Sequence, residues 1–367
     1  MTAESYLHRA FLLAKQADPK AIRPNPFVGA VVVSENGEIL GEGFHQKAGE
    51  AHAEVIAIKN AIEQGTNLGA CTLYVTLEPC SHTGKTPPCT DLIIQHRIPK
   101  VVIGSLDPNP LVSGVSILEE HGVEVEVMII PEIVTLNDTF IINQILKRPK
   151  YILKSAITLN GKIADSKGSS KWISNEKSRE HVHEKLRSTA DAILTTAKTI
   201  IEDNATMNIR IKDQMAEELN LIVFDPDLEL LKKENQHLSC FYKRNKSAIY
   251  LVTDKAGIMP ALPNVEVIHI PMQDGLFDIT MLHKELLSRN ICQVLIEAGG
   301  SMNATMMDAK SVDEIHTFVC PRILMDNAAI NQFNSSQIQT MDNALKLQLL
   351  DSMTIGEDIL LRHKVIH

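Results

Sequence analysis

No run or stripe of Lys and Arg appears in the 367 residues, whose formal charge is −9 and whose pI lies near 5.9. Surfaces that neutralise a phosphate backbone concentrate basic residues, so nucleic acid is not an expected partner. No stretch approaches the ~18 consecutive apolar residues of a membrane span, so no membrane is expected either. The N-terminal residues lack the basic start and apolar block of a secretion signal. Leu7, Ala10, Phe11 and Ala14 stand there at helical spacing, which predicts an ordinary helix and a cytoplasmic protein. There is no internal repeat and no low-complexity tract. The three spaced glycines of the long dinucleotide fingerprint are also missing, which disfavours a Rossmann domain. Six cysteines in a long chain without a secretion signal do not make a disulfide framework. Cys71, Cys292 and Cys320 begin or end apolar strand-like runs and read as small hydrophobes.

What is present is ordinary globular composition, 44% hydrophobic and 22% charged, in a chain longer than one core usually serves. Two domains are expected. In the first, a strand over 28–33, a turn at Glu35-Asn36-Gly37 and a second strand through Ile39 predict a hairpin. A helix is predicted over 51–64, a strand over 70–77, a helix over 87–96 and a strand over 100–104. A segment of Pro and basic residues, Leu146-Lys147-Arg148-Pro149-Lys150, marks the boundary, dividing the chain into 1–147 and 148–367. Beyond it strands are predicted at 151–156, 192–195, 221–225, 249–253, 265–270 and 293–297, with helices near 176–187 and 279–289. Both halves are therefore layered α/β domains.

The chemistry concentrates in two short stretches, His52-Ala53-Glu54 and the segment from Cys80 to Cys89. One imidazole and two thiolates supply three ligands for tetrahedral zinc and leave the fourth position for water, the arrangement of a catalytic rather than a structural site. Water activated in this way attacks an electron-poor ring carbon that bears an amino group. Glu54 is the natural proton carrier between that water, the ring nitrogen and the departing ammonia. His52 and Glu54 converge only if a helix starts near His52, and the prolines before Cys89 predict that this cysteine opens another. A His-x-Glu followed by Pro-Cys-x-x-Cys is the general pattern of zinc deaminases. Here eight residues separate the cysteines. The longer loop carries His82, Gly84, Lys85 and Thr86, donors of a kind that could hold a substrate phosphate. A zinc site closed by a fourth protein ligand, within a binding module without turnover, is the alternative at this point.

With these residues in view, the first half resembles the cytidine deaminase superfamily, and more narrowly the bifunctional deaminase-reductases of riboflavin biosynthesis. The similarity runs through Pro24-Asn25-Pro26-Phe27-Val28-Gly29, Gly41-Glu42-Gly43-Phe44-His45, Gly49-Glu50-Ala51-His52-Ala53-Glu54, Thr76-Leu77-Glu78-Pro79-Cys80 and Asp107-Pro108-Asn109-Pro110. The resemblance implies that Asn25 binds the pyrimidine and that His45, His82, Lys85 and Asn109 contact the ribose phosphate.

The second half resembles the reductase domain of the same family, which implies a dihydrofolate-reductase-like fold and NADPH. Its matching stretches are Thr158-Leu159-Asn160-Gly161-Lys162, Ser170-Lys171-Trp172-Ile173-Ser174, Arg187, Thr199 to Asp203, Arg210 and Glu297-Ala298-Gly299-Gly300. By that resemblance Ala156, Trp172, Thr199, Asp203, Gly299, Gly300 and Ser301 lie against the nucleotide. Ser170, Arg187, Met207, Arg210 and Glu297 lie against the substrate. Gly299 and Gly300 follow an apolar strand and precede a helix, where backbone amides receive phosphate. Three positions depart from the family's usual residues: Asp203-Asn204-Ala205 replaces Asp-Asp-Pro, Pro226 replaces a small hydroxyl residue, and Asn160 stands where Asp is commoner.

The expectation is thus a two-step enzyme with one zinc ion and NADPH. It would deaminate a diaminopyrimidinone ribosylamine 5′-phosphate and then reduce the ribosyl group to ribityl. Its partners are this phosphorylated small molecule and, as the family implies, further copies of itself in a homo-oligomer. The rival is a zinc deaminase of another pyrimidine with a non-catalytic C-terminal binding domain.

Overall fold

The computed structural model describes residues 2–81, 87–244, 246–262, 264–335 and 340–367. The chain divides into two compact units, Met1–Lys147 and Arg148–His367.

The first unit is a five-stranded sheet with helices on both faces. Its strands are β1 (Gly29–Ser34), β2 (Ile39–Phe44), β3 (Cys71–Val75), β4 (Lys100–Ile103) and β5 (Glu124–Val127), in the order β2-β1-β3-β4-β5. The helices are α1 (Ala3–Ala14), α2 (Pro19–Ile22), α3 (Ala53–Glu63), α4 (Cys89–Gln95), α5 (Gly114–Glu120), α6 (Pro131–Leu136) and α7 (Asp138–Leu146). Alternation along β1 sends Ala30 and Val32 to one face, where they pack with Ala57, Ile58, Ala61, Leu73 and Ile93. Val31 and Val33 go to the other face, under Tyr6 and Leu13 of α1. The predicted hairpin is the antiparallel pair β1–β2. Helix α3 lies directly on β2 because two residues there have no side chain. A Cβ on Gly41 would sit 2.1 Å from the Ala57 carbonyl oxygen, and one on Gly43 would sit 2.6 Å from that of Ala53. This close approach sets where α3 begins, and so where His52 and Glu54 stand.

The second unit holds strands β6 (Lys150–Thr158), β7 (Lys162–Ala164), β8 (Ala192–Thr196), β9 (Asn220–Phe224), β10 (Ile249–Thr253), β11 (Val265–His269), β12 (Met272–Gln273), β13 (Leu276–Phe277), β14 (Gln293–Ile296), β15 (Glu314–Cys320), β16 (Ile330–Asn331), β17 (Lys346–Ile355) and β18 (Asp358–Ile366). Nine of them form one sheet in the order β11-β10-β9-β8-β14-β6-β15-β18-β17. It is parallel from β11 to β15, and β18 and β17 add an antiparallel edge. The helices are α8 (Glu176–His181), α9 (Ala197–Asp203), α10 (Ser239–Tyr242), α11 (Ile279–Ser288) and α12 (Gly300–Asp308). The central strands are apolar on both sides, as a parallel sheet covered by helices requires. Leu153, Leu194, Ile222 and Val294 pack against Leu282 and Leu286. Ile193, Leu221 and Leu251 pack against Ile200 and Leu230.

The periodicity over 176–187 is not one α-helix: after α8 the chain continues as a π-helical turn, Val182–Arg187. Cys71, Cys292 and Cys320 are buried free thiols at strand ends or beside them. Among the described residues, no helix is long and apolar enough to cross a membrane.

Candidate active sites

His52 is the N-cap of α3, so its ring points off the helix start while Glu54 occupies the first turn. Cys89 is the first residue of α4, after Pro88. The His52 Nδ1, Cys80 Sγ and Cys89 Sγ atoms all lie within 4.8 Å of one another. The imidazole nitrogen is 3.3 Å from Cys89 Sγ and 3.5 Å from Cys80 Sγ, and the Cys89 N–H donates to Cys80 Sγ at 3.3 Å. Zinc bonds of roughly 2.0–2.3 Å in a tetrahedron set ligand separations of about 3.3–3.8 Å, the range in which both imidazole–sulfur distances fall. The Cys80 thiol is pulled down, chiefly by its hydrogen bond with Cys89 and then by His52 and the Cys89 N–H. Glu54 is almost fully buried beside the trio, and burial pushes its carboxyl up. A carboxyl set close to the trio in a dry place is suited to accept and return a proton.

His45 lies against the same centre, its ring 5.7 Å from that of His52 and nearly perpendicular to it. Its Nδ1 faces the Ala51 carbonyl at 3.1 Å and its Nε2 faces the Asn25 side-chain nitrogen at 3.0 Å. Donation from Nδ1 to the carbonyl leaves Nε2 as the acceptor of the Asn25 amide, which fixes both groups. Asn109 is placed differently. Its side-chain oxygen accepts the Leu111 N–H within its own loop, and Glu78 holds that loop by accepting from Asp107 and Val115. His82 and Lys85 lie outside the described residues.

In the second unit one cleft of about 770 Å³ is lined by all twelve residues singled out in that half of the sequence: Ala156, Ser170, Trp172, Arg187, Thr199, Asp203, Met207, Arg210, Glu297, Gly299, Gly300 and Ser301. Arg187 meets Glu297 through two parallel bonds, Nε to Oε1 at 2.6 Å and Nη2 to Oε2 at 3.0 Å. Burial alone would raise the Glu297 carboxyl, but Arg187 and then Lys154 override it and hold it at about 2. Trp172 is exposed rather than packed in the core, with the Arg179 guanidinium 4.5 Å from its ring centre. Gly299 caps α12 with open space around it, so the first amides of that helix face the cleft without a side-chain cap. Such an end attracts the phosphate of a nucleotide. Gly300 has no room for a Cβ, which would meet the Asn331 carbonyl oxygen at 2.3 Å.

The departures have structural roles. Asn204 takes the left-handed conformation that ends α9, which Asn tolerates, and its oxygen accepts the Ser239 N–H. Asn160 donates to the Leu324 carbonyl and accepts the Leu324 N–H, a pair that an Asp could not complete. The Pro226 carbonyl accepts the Thr253 hydroxyl.

One residue without a motif to mark it also lines the cleft, and a second supports it from behind. Lys154 projects into it from β6, and burial lowers its ammonium pKa against the pull of Glu297. His183 lies behind it, its Nδ1 accepting the Arg210 N–H at 3.0 Å while Arg187 donates to the Asn208 carbonyl at 2.6 Å. The π-helical turn thus grips the segment that carries Met207 and Arg210. The one hint in the sequence was Lys154 itself, a charge inside an apolar strand.

Comparison with known proteins supports both halves. Residues 1–105 match the cytidine and deoxycytidylate deaminase zinc-binding region, and residues 149–361 match the RibD C-terminal domain. The riboflavin biosynthesis protein RibD of Actinobacillus pleuropneumoniae is 37% identical over 100% of this chain and 96% of its own. This chain belongs to the RibD family. The RibD protein of Escherichia coli strain K12 is 32% identical over 89% of this chain and 90% of its own. A crystal structure from Thermotoga maritima superposes with a TM-score of 0.84 at 34% identity and covers 99% of both chains. That protein is described as a diaminohydroxyphosphoribosylaminopyrimidine deaminase and 5-amino-6-(5-phosphoribosylamino)uracil reductase. Acinetobacter baumannii RibD gives a TM-score of 0.81 at 31% identity and 99% coverage of both chains. The RibD architecture of a deaminase-like domain followed by a reductase domain is therefore that of this chain, as its motifs implied.

Proposed function

We propose that this RibD protein carries out two consecutive reactions on one phosphorylated pyrimidine. The first unit removes an amino group from the diaminopyrimidinone ribosylamine phosphate by hydrolysis. The second reduces the ribosyl group of the product to ribityl with NADPH. The observation that carries this reading is the presence in one RibD chain of a buried carboxyl beside a His-Cys-Cys trio and, separately, of a cleft lined by all twelve expected reductase residues.

In the first unit His52, Cys80 and Cys89 hold zinc, which when bound supplies the Lewis acidity that activates water. Glu54 takes the proton from the attacking water and delivers it to the ring nitrogen and then to the leaving ammonia. Asn25, fixed by His45, recognises the polar edge of the pyrimidine. His45, His82, Lys85 and Asn109 serve the ribose phosphate.

In the second unit Ala156, Trp172, Thr199, Asp203 and Gly299 to Ser301 hold the nucleotide, and NADPH supplies the hydride that reaches C1 of the sugar. Ser170, Arg187, Met207, Arg210 and Glu297 hold the substrate. Opening the sugar ring while C1 receives hydride requires a proton on the released ring oxygen. Lys154 is the acid set in the cleft for it, since its lowered pKa eases proton release. The rest of catalysis is positioning of donor and acceptor. We further assign the protein to the cytoplasm, as a homo-oligomer that binds no nucleic acid.

Product analysis with and without NADPH tests the reading. The zinc-loaded enzyme alone should yield the deaminated ribosyl compound, and addition of NADPH should convert it to the ribityl compound. Deamination of cytidine in preference to the phosphorylated pyrimidine would contradict it.

A further inference from the structure

Residues 106–148 fall between the two matched regions, yet Asn137 among them holds the loop that carries Asn25. Asn137 stands at the joint of two helices, ending α6 and preceding α7, and is 2% exposed. Its side chain caps neither the start of α7 nor any other turn. Instead its oxygen accepts the Phe27 N–H at 2.8 Å and its nitrogen donates to the Phe27 carbonyl at 2.9 Å. One amide thus pairs with both main-chain groups of a single residue, as a neighbouring strand would, across a sequence separation of 110.

The main chain of the loop it grips is held at few points among the described residues. Pro24 and Pro26 carry no N–H, so the loop's own amides are those of Asn25, which goes to the Ile22 carbonyl, and Phe27, which goes to Asn137. Asn25 is anchored upstream by that bond and laterally by His45. Downstream of it, the next main-chain anchor is the pair on Phe27.

We infer that Asn137 is a positioning residue of the deaminase: by clamping Phe27 it sets the pose in which Asn25 meets the pyrimidine. The inference rests on the reading above that Asn25 contacts substrate. Loss of Asn137 leaves the zinc trio and Glu54 in place but loosens the recognition loop, so its effect falls on substrate binding before chemistry.

The test uses the full-length zinc-loaded enzyme with three variants, Asn137→Leu, Asn137→Asp and Asn25→Ala. Deaminase kcat and KM, zinc content and NADPH-dependent reduction of separately supplied deaminated intermediate are measured for each. Asn137→Leu, which lacks both bonds, should raise deaminase KM by about 5- to 100-fold, the range for two hydrogen bonds. Its kcat should change far less, with zinc and reductase activity as in the wild type. Asn137→Asp keeps the acceptor but sets a carboxylate oxygen against the Phe27 carbonyl, and should likewise raise deaminase KM by at least about 5-fold. It also serves if the Leu variant does not fold. A deaminase KM within twofold of wild type in both Asn137 variants, with Asn25→Ala impaired, would overturn the inference alone. An unaltered KM in Asn25→Ala would overturn the role of Asn25 and the inference with it. Loss of zinc or of reductase activity in both Asn137 variants would show a general structural role, and also overturns it.

Discussion

Arg187 and Glu297 lie edge to edge in the reductase cleft, joined by bonds of 2.6 and 3.0 Å, with each side chain close to nine-tenths removed from solvent. The pair brings one charge from a π-helical turn and the other from the residue after β14, and so ties these two walls of the cleft together. A buried guanidinium in this geometry requires a planar partner with two acceptor oxygens.

Removing that partner leaves Arg187 uncompensated. Glu297→Gln is expected to destabilise the second unit by about 3 kcal/mol, within the range for breaking one side of a buried pair. It should also lower reductase kcat/KM by at least tenfold while deamination proceeds at the wild-type rate. Denaturant melts and separate assays of the two half-reactions check this.

The same pair gives an acid dependence with a defined sign. The Glu297 carboxyl is held at about 2, below its ordinary value of 4.5. Its contribution to stability is therefore full above about pH 4.5 and is lost as the pH falls towards 2. Thermal melts between those limits should show a steeper loss in the wild type than in Glu297→Gln.

At the other site, Glu54→Gln should reduce deamination by a factor of roughly 10² to 10⁴, the usual worth of a positioned proton carrier. Zinc content and reductase activity should stay as they were. Cys89→Ser should behave in the opposite way towards metal, lowering zinc content together with deamination. Metal analysis beside both activity assays distinguishes the two.

Lys154→Arg keeps the positive charge next to Glu297 but replaces an ammonium whose pKa burial lowers with a guanidinium that does not give up its proton. Reduction should fall by roughly 10² or more, while NADPH binding, read by fluorescence transfer to the bound cofactor or by calorimetry, stays within a few-fold of wild type.

Much of the site was legible in the sequence because its parts depend on local rules. His52 and Glu54 share a site only at a helix start, and α3 starts one residue after His52. Pro87 and Pro88 announce the helix that Cys89 opens. Nine of the twelve cleft residues stand in recognisable motifs. What escaped depends on long-range register. Nothing local ties Asn137 to Phe27 or His183 to Arg210, because each pair meets only once the sheet has ordered its strands. Lys154 faces the cleft through the alternation of β6, which an apolar run does not reveal. Among the strands that went unpredicted are β5, β17, β18 and the short β7, β12, β13 and β16. β5 has only four residues, and β17 is solvent-exposed along almost its whole length, so neither presents the apolar run of a central strand.

The most direct measurement is a single turnover of the purified zinc-loaded protein with the diaminopyrimidinone ribosylamine phosphate and NADPH, following ammonia release and NADPH oxidation in time. Ammonia should appear first and NADPH consumption should follow with a lag, in equal amounts. NADPH oxidation without prior ammonia, or release of neither signal by protein shown to contain zinc, would contradict the two-step assignment.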